Sequence, residues 1–450
     1  MLLTPGHIPG LFLPAQSAGA APDPAATAWV LLGAVLVMIM TPGVALFYGG
    51  MVRAKHVLAM LVQAVTVLCV VILLWVLVGY SLAFGAGNEA LGDLSIVGLV
   101  SVDSATGGLP ADLPVPPMAY AAFQMMFAVV TAVLFTGATA DRWRYAAFVP
   151  FVAAWSLLVY TPVAHWVFAS TGWASRLGAL DFAGGLVVHV TAGATGLALA
   201  LALGRRRGWP DRPMRPHNLP LVVVGASLLW FGWYGFNAGS ALRPDAVAAS
   251  AVVTTSTAAA AGVLGWSVVE RLRYGRPTLL GAVSGAVAGL VAITPCSGYV
   301  TPLSGLLVGL AAGLTCAGAV SLKVWFGLDD SLDVVAVHLG GGALGTLALG
   351  LFATRDVNPA GRDGLFYGGG YDLLGAQALA LLVVAVFAFT ASYVLAGLVD
   401  RLVGNRVRPR DEDVGLDLAL HGETAYDDLE HVAAPSATPA VPAQDRSAAR

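Results

Sequence analysis

The sequence has few charged side chains, and this shortage limits what the protein can be. Charged residues make up 11% and hydrophobic residues 58% of the 450 positions. An average soluble domain carries about 25% charged residues, so this chain has too few to cover a soluble globule of its size. Fourteen of the charged residues lie in the last 47 positions. The composition therefore indicates a protein that lies mostly in lipid and ends in a soluble tail.

Cysteine is also scarce, and the pattern of metal ligands is missing. The three cysteines, Cys69, Cys296 and Cys316, lie in apolar stretches, with no C-x-x-C and no Cys/His spacing. This excludes a disulfide framework and a zinc site, and we expect neither metal nor cofactor. A net charge of −3 without a basic stripe argues against nucleic-acid binding. The apolar stretches also lack a nucleophile with its base and a carboxylate pair, so we expect no enzyme.

Eleven apolar stretches are long enough to cross a bilayer core, which takes about 20 mostly apolar residues. They lie at approximately 27–52, 57–84, 118–140, 145–168, 182–204, 218–241, 246–269, 278–296, 303–325, 332–353 and 373–400. The predicted fold is therefore an all-α polytopic membrane protein. Residues 1–26 resemble a cleaved signal peptide in their short apolar stretch, but they lack the usual basic residues, and both possibilities stay open.

The loops between these stretches differ in their content of lysine and arginine. Fourteen basic residues, among them Arg205–Arg207, lie in the loops that follow odd-numbered helices, and only four lie on the opposite side. Basic loops stay in the cytoplasm. The sequence thus predicts a multi-pass protein of the cell membrane, with its N-terminus outside and its C-terminus in the cytoplasm.

Five plus five plus one helices predict an inverted repeat, because five spans reverse the orientation of the second half. Repeat one would cover about 27–204, repeat two about 218–353, and the last span 373–400, within a transmembrane domain of residues 27–402. A tail of residues 403–430 follows. Residues 431–450 are rich in alanine and proline, and we expect them to be disordered.

Two histidines lie well inside predicted helices, where ionisable residues are costly and mark functional sites by default. His189 and His338 occupy matching places in the fifth and tenth spans, so an inverted repeat brings them toward each other. Facing imidazoles offer a neutral hydrogen-bonding step that can pass a proton. The alternative is a pair of structural histidines bonded to the backbone; a metal or haem site lacks a third ligand.

Several other residues lie at depths in their predicted helices that would place them along one path with these histidines. Aromatic rings with a hydroxyl suit a small cation through cation–π attraction, although a single aromatic residue in a span usually only packs. The aromatic and hydroxyl candidates are Phe127, Phe168, Trp233, Phe236 and Ser240. Asp181 and Asp333 each precede a histidine-bearing helix, and we expect both carboxylates to cap free N–H groups there.

Several strings of residues resemble the ammonium transporter family, which includes the Rhesus-related proteins. They are FYGGMVR (47–53), AAFQMMFAVVT (121–131), GALDFAGGLVVHVTAG (178–193), WYGFNAGSA (233–241), LDVVAVHLGGG (332–342) and GLDLALHGETAY (415–426). They follow one another in the family's order from about residue 25 to 430. The resemblance implies an eleven-helix subunit with an inverted five-helix repeat, a homotrimer, and one pore in each subunit.

The resemblance also assigns roles to individual residues. It implies that His189 and His338 are paired pore histidines sharing a hydrogen bond, and that Phe127 and Phe236 form a stacked gate. It places Ser240 at an outer ammonium site that Asp181 shapes from behind, and it makes Trp233 a pore-lining residue.

The outer site departs from the family pattern at one position. HWVF (165–168) supplies Phe168 where the family usually has tryptophan. Phenylalanine is a weaker cation–π partner and has no N–H donor, so ammonium binding is expected to be weaker or less selective. Phe123 matches a further outer aromatic residue and would compensate in part.

The predicted function is selective ammonium uptake. NH4+ would be recruited at the outer site and lose a proton, and NH3 would pass the histidines with or without that proton. Two alternatives stay open. One is an ammonium sensor, against which the short tail argues, since family sensors carry a large fused domain; the other is a Rhesus-like neutral gas channel. The resemblance further implies a regulatory tail and a PII-type signal protein as a possible cytoplasmic partner.

Overall fold

The computed structural model describes residues 22–104, 108–110 and 113–426, and within these residues it is helical, with no β-strand. A single bridge pairs Trp143 with Arg406. Most of the candidate signal peptide and the segment 431–450 lie outside the described residues, so the expectations for them stay predictions.

Eleven apolar helices make up the body of the described chain. They are α1 Pro24–Met51, α2 Ala54–Phe84, α3 Pro117–Thr139, α4 Tyr145–Leu177, α5 Gly185–Leu203, α6 Leu219–Gly239, α7 Ala246–Tyr274, α8 Leu279–Ile293, α9 Pro302–Trp325, α10 Val335–Phe352 and α11 Asp372–Val403. Ten of them are long and apolar enough to cross a membrane, which confirms the predicted fold class. Helix α8 has only 15 residues, so the count of eleven spans stays a prediction.

Four of these helices contain one π-helical segment, and two of those segments carry the candidate histidines. Gly185–Val190 forms the first turn of α5 and contains His189, whereas Val335–Gly340 forms the first turn of α10 and contains His338. Single π-turns inside helices are rare and often occur at functional sites. The matching irregularity in the two halves fits the expected inverted repeat.

The first helices of the two halves pack against each other along their length, with α1 against α6. Glycines allow this close approach: a Cβ atom at Gly225 would lie 2.2 Å from the backbone nitrogen of Phe47. In lipid, helix association depends on van der Waals packing and hydrogen bonds, which small residues permit at short distance. These glycines therefore set the close spacing between α1 and α6.

The tail folds back onto the end of the bundle from which it emerges. The Asp417 carboxylate accepts hydrogen bonds from the backbone nitrogens of Leu58 and Ala59, at 3.0 and 2.8 Å, and so caps the start of α2. Glu412 accepts from the backbone nitrogen of Arg207 at 2.6 Å and from the Arg406 guanidinium at 3.0 Å. We call this end of the bundle the tail end and the opposite end the distal end.

A buried cluster of charges joins the helix connections at the tail end. Arg206 forms a salt bridge of 2.8 Å with Asp329 and lies 3.5 Å from Asp141, which also pairs with Arg53 at 3.0 Å. Burial alone would raise the pKa of Asp329, but its hydrogen bonds and charge pairing with Arg206 hold that pKa below its usual value. The pairing therefore stabilises the folded state above the unfolded-state pKa, and this contribution is lost as pH falls.

The substitution Asp329→Asn is expected to destabilise the bundle, because it leaves the buried Arg206 guanidinium short of a counter-charge. Breaking a buried pair in this way costs on the order of 3 kcal/mol. The expected result is a clearly lower melting temperature of the solubilised protein near neutral pH, with a smaller difference from wild type at acidic pH. The exposed pair of Arg207 and Asp413 at the same end gives the control, Asp413→Asn, which should shift stability little. Equal melting temperatures for the two variants would contradict this account.

Candidate functional site

Two imidazole rings meet in the interior of the bundle. The Nδ1 atoms of His189 and His338 lie 3.2 Å apart, the ring centroids are 5.3 Å apart, and both residues are buried. Because one Nδ1 must donate while the other accepts, the two rings share one hydrogen bond. The structure thus brings the two candidate histidines into direct contact.

Glycines bring the two histidine-bearing helices close enough for this contact. A Cβ at Gly193 of α5 would lie 2.2 Å from the Leu339 backbone nitrogen on α10. A Cβ at Gly342 of α10 would lie 3.1 Å from the Cβ of His189. Any larger side chain at Gly193 would force the helices apart and separate the rings.

The start of α5 is fixed by Asp181 at the distal end. Its two carboxylate oxygens accept hydrogen bonds from the backbone nitrogens of Gly184, Gly185, Leu186 and Val187, at 2.7 to 3.2 Å. This is the helix cap that we expected of Asp181. Gly184 makes the sharp turn before the helix, with a φ of 112° that favours glycine. Burial raises the pKa of Asp181, and the four backbone hydrogen bonds oppose that rise.

The corresponding expectation for Asp333 is wrong. Its carboxylate pairs with the Lys323 ammonium instead of capping α10. Asp330 accepts the hydrogen bond from the Val335 backbone nitrogen at 2.7 Å and takes the place of the cap. Burial and the nearby Asp333 charge raise the pKa of Asp330 to about 6. The physical reason is the extra π-turn, which places the capping carboxylate eight residues before the histidine in both halves.

A column of aromatic rings leads from the distal end to the histidines. The Phe127 and Phe236 rings stack with centroids 4.4 Å apart and lie fully buried. The Phe236 ring lies 6.0 Å from His189, and on the other side Phe127 lies 6.4 Å from Phe168. The two phenyl rings therefore separate the half-buried Phe168 from the histidine pair.

The remaining candidates flank this column. Ser240 is half-buried at the distal end of α6, and its hydroxyl donates to the Phe236 carbonyl oxygen at 2.8 Å. Phe123 packs edge-on against Phe127 at 4.8 Å and is fully buried. Trp233 stacks on His189 at 5.5 Å, while its indole nitrogen donates to the Thr294 hydroxyl at 2.9 Å. Phe123 thus supports Phe127 from the side, and Trp233 holds one face of His189.

A small cavity continues the column beyond the histidines toward the tail end. It has a volume of about 20 Å³, and its lining includes Tyr48, Ser284, Asp333 and His338. Such a volume holds about one water molecule. His338 therefore borders this cavity of mixed polar and apolar lining on one side and His189 on the other.

The geometry limits what can pass. An ion that enters the phenyl stack would lose its water shell without gaining a counter-charge, and burying an isolated charge costs many kcal/mol. A small neutral molecule escapes that cost, and the histidine pair offers it hydrogen bonds. No group of three or more metal-ligating side chains occurs among the residues that the structure describes.

Sequence reasoning did not find two residues that shape this site. Asp330 would have followed from the repeated eight-residue spacing between aspartate and histidine, which Asp181 and His189 share with Asp330 and His338. Thr294 lies in the turns after α8, and no pattern in the sequence links it to Trp233.

Comparisons with known proteins point to one family. The sequence model described as Ammonium Transporter Family matches residues 28–426. An ammonium transporter of Bacillus subtilis is 48% identical over 405 residues, covering 89% of this chain and 98% of that protein. The crystal structure of Candida albicans Mep2 superposes with a TM-score of 0.82 at 36% identity and 93% coverage of each chain.

A structure titled as a sensor Amt protein is also similar, with a TM-score of 0.81 at 28% identity over 88% of this chain and 98% of the other. The family model, which reaches from residue 28 to 426, spans both histidine-bearing helices and the tail. The curated relatives are named ammonium transporters, which is a family of transporters and not of enzymes. On this evidence the chain belongs to the ammonium transporter family.

Proposed function

We propose that the protein carries out selective ammonium uptake across the cell membrane, with the distal end outside and the tail in the cytoplasm. NH4+ is recruited at Phe127, Phe168 and Ser240, at a site that Asp181 shapes from behind. It loses a proton at the phenyl stack, and NH3 passes the histidine pair. The observation that carries the proposal is the unbroken line of rings from Phe168 to the hydrogen-bonded histidines.

Selectivity against potassium follows from deprotonation. Potassium and ammonium have similar sizes, and both would pay the cost of burying a charge in the phenyl stack. Only ammonium can avoid that cost, because it can leave its proton behind. The proton either returns outside or follows through His189 and His338, whose shared hydrogen bond supports transfer between the rings.

This proposal is tested with protein reconstituted in vesicles that enclose a pH-sensitive dye. An inward ammonium gradient should raise the internal pH quickly if NH3 arrives without a proton, and leave it nearly unchanged if the proton follows. In the second case a current should accompany uptake. Vesicles whose uptake of labelled ammonium matches that of protein-free vesicles would contradict the proposal.

The substitution Phe168→Trp is expected to tighten ammonium binding at the outer site. Indole is the strongest cation–π partner among the aromatic side chains and adds an N–H donor, for a gain of about 0.5–1 kcal/mol at an exposed site. The half-saturation concentration should therefore fall about two- to fivefold, with the maximal rate little changed. Phe231→Trp, at a ring that is 54% exposed on the surface of α6, serves as a control. An unchanged half-saturation concentration would indicate that ammonium is recognised at Phe123 and Phe127 instead.

A sensor function is the second candidate, because the chain is similar to the sensor Amt protein. A sensor would bind ammonium without net flux, whereas a Rhesus-like gas channel would pass ammonia without current. Calorimetric binding together with zero flux would favour the sensor.

We also propose a homotrimer whose cytoplasmic face receives a PII-type signal protein. Support comes from the family membership and from the docked tail, in which Glu412 and Asp417 tie residues 404–426 to α2 and Arg207. A partner that binds this face would contact the tail and the pore exit together. Mass measurement of the solubilised protein tests the trimer.

A further inference from the structure

An apolar groove, separate from the column of rings, opens between the ends of α5 and α9 at the tail end. It has a volume of about 410 Å³. Its walls come from α5, the last turns of α9 and the π-turn of α10, and they include Leu197, Leu201, Val320, Phe326 and Leu339. The groove follows residues 319–326 of α9, which span about 10 Å. It therefore covers most of the half-thickness of a bilayer core, which is about 15 Å.

The size of the groove indicates what it can receive. A helix with a diameter of about 10 Å would fill roughly 800 Å³ over the same length, which is about twice the volume of the groove. A single hydrocarbon chain is narrower than a helix, and every CH2 group that it buries adds to its affinity. The groove therefore fits one acyl chain of a lipid and not a helix of a partner.

Two exposed aromatic side chains indicate the level of the groove in the membrane. Trp325, at the end of α9, is 87% exposed, and the adjacent Phe326 is 80% exposed. Tryptophan is enriched where lipid headgroups meet the acyl region, because its ring has an apolar body and a polar N–H group. The mouth of the groove, next to Phe326, thus lies at the level of the headgroups. Leu197, six residues before the end of α5, lies deeper in the acyl region.

The mouth of the groove carries an exposed arginine. Arg205 lies four residues beyond Leu201, directly after the end of α5. Its Nε atom donates to the Gly327 carbonyl oxygen at 2.9 Å, and its guanidinium lies 5.5 Å from the centre of the Trp209 ring. Within the part of the chain that the structure describes, no carboxylate pairs with Arg205. The two contacts hold the guanidinium in place, and its terminal N–H groups can donate to an anion.

The other charged side chains of the groove leave this positive charge in excess at the mouth. Lys323 pairs with Asp333, so these two charges compensate each other. Asp330 is only 2% exposed and caps the start of α10. On the other side of the groove wall, the exposed Arg273 donates to the Ser321 hydroxyl at 2.5 Å. The charges that solvent and lipid headgroups reach at the end of α9 are therefore positive.

We propose that this groove binds one anionic phospholipid of the leaflet at the tail end, with an acyl chain along α9 and the phosphate at Arg205. Basic pockets between membrane helices are typical sites for anionic headgroups, and a guanidinium matches the geometry of phosphate oxygens. The acyl chain packs against Leu339 on the π-turn of α10, so the bound lipid supports the turn that carries His338. The lipid site does not require that the protein transports ammonium.

Photo-crosslinking of the full-length protein in nanodiscs tests the site. The nanodiscs consist of phosphatidylcholine and contain a trace of a phosphatidylglycerol or a phosphatidylcholine probe, both with the same diazirine-bearing acyl chain. Mass spectrometry then identifies the labelled residues. We expect the phosphatidylglycerol probe to label residues 197–201 and 319–328 about fivefold more than the phosphatidylcholine probe, which is the preference that one basic residue provides. Equal labelling by the two probes, or no labelling of these residues, would overturn the proposal.

A second apolar groove supplies an internal control in the same sample. It lies between α4 and α11, has a volume of about 360 Å³, and its lining residues, such as Leu158, Phe387 and Val394, include no charged side chain. Both probes should label this groove equally. The same preference for phosphatidylglycerol in both grooves would show a general enrichment of anionic lipid around the protein, and it would overturn the assignment to Arg205.

Substitutions of Arg205 test the headgroup contact. Arg205→Gln removes the charge but keeps an N–H donor for the Gly327 carbonyl oxygen, so the preference for phosphatidylglycerol should disappear. Arg205→Lys keeps the charge and should retain most of the preference. Arg276→Gln is the matched control, because Arg276 is also exposed at the tail end but does not line the groove; it should label as the wild type does. A preference that persists unchanged in Arg205→Gln would overturn the proposal.

The substitution Ala319→Phe tests the acyl contact without touching the charge. Ala319 lines the groove, and a phenyl ring at this position would fill the space that the chain occupies. Labelling of residues 197–201 by the phosphatidylglycerol probe should fall at least fivefold, while labelling of the groove between α4 and α11 stays as in the wild type. Undiminished labelling of residues 197–201 would show that the chain lies outside the groove and would overturn the proposal.

Discussion

The substitution His189→Ala is expected to reduce the current evoked by ammonium about a hundredfold, the scale on which positioned proton-transfer groups act. The reason is the 3.2 Å contact between the Nδ1 atoms of His189 and His338, which is the polar bridge between the phenyl stack and the cavity beyond. Without the imidazole, a proton released at the stack has no acceptor in the path. His338→Ala should have the same effect, and the double variant should add little.

The matched variant His189→Gln separates proton transfer from hydrogen bonding. Glutamine has a donor and an acceptor and a similar size, but it does not take up a proton. We expect it to lose the current, as alanine does, and to show instead the dye-detected alkalinisation that neutral NH3 produces. Size-exclusion chromatography checks that each variant remains assembled. Wild-type currents with complete potassium rejection in all variants would contradict the proton-relay role.

The substitution Asp181→Ala is expected to prevent stable folding of the distal end. Four backbone N–H groups at the start of α5 donate to this carboxylate. Each buried donor left without an acceptor costs about 1–3 kcal/mol, so the combined loss amounts to several kcal/mol. The measurements are the yield of assembled protein and its melting temperature. Asp181→Asn retains one carbonyl acceptor and should fall between wild type and alanine.

Asp245 offers a matched control, because its exposed carboxylate caps α7 by accepting hydrogen bonds from the backbone nitrogens of Val247 and Ala248, both at 3.0 Å. The loss of an exposed cap costs about 1 kcal/mol, so Asp245→Ala should melt only slightly below wild type. A stability for Asp181→Ala equal to that of Asp245→Ala would refute the importance of the buried cap.

The helical fold could be predicted from the sequence because the bilayer imposes one requirement on every spanning segment. Each segment must be apolar over a fixed length, and its backbone N–H and C=O groups must form hydrogen bonds within the protein. This constraint predicted ten long helices with ends close to those observed. It fails for α8, which ends after 15 residues at Ile293 and continues as turns that carry Thr294. The predicted stretch 278–296 ran three residues past this end, into turns where Thr294, Pro295 and Ser297 mark the break.

The sequence predicted those parts of the candidate site in which the same type of residue recurs at matching positions of the two halves. His189 and His338 stood out because a polar side chain is costly at that depth. Asp333 was assigned as a cap because it lies closest to its helix in sequence, and the π-turn, which the sequence does not reveal, gives that role to Asp330.

The measurement that tests the central claim most directly is a comparison of charge movement in liposomes containing the purified protein. An ammonium jump is applied, followed by an equal potassium jump in the same vesicles. If the released proton follows through the histidines, the account predicts a transient current with ammonium and none with potassium. If the proton returns outside, neither ion gives a current, and only the ammonium jump raises the internal pH. Equal currents with both ions would contradict deprotonation as the basis of selectivity.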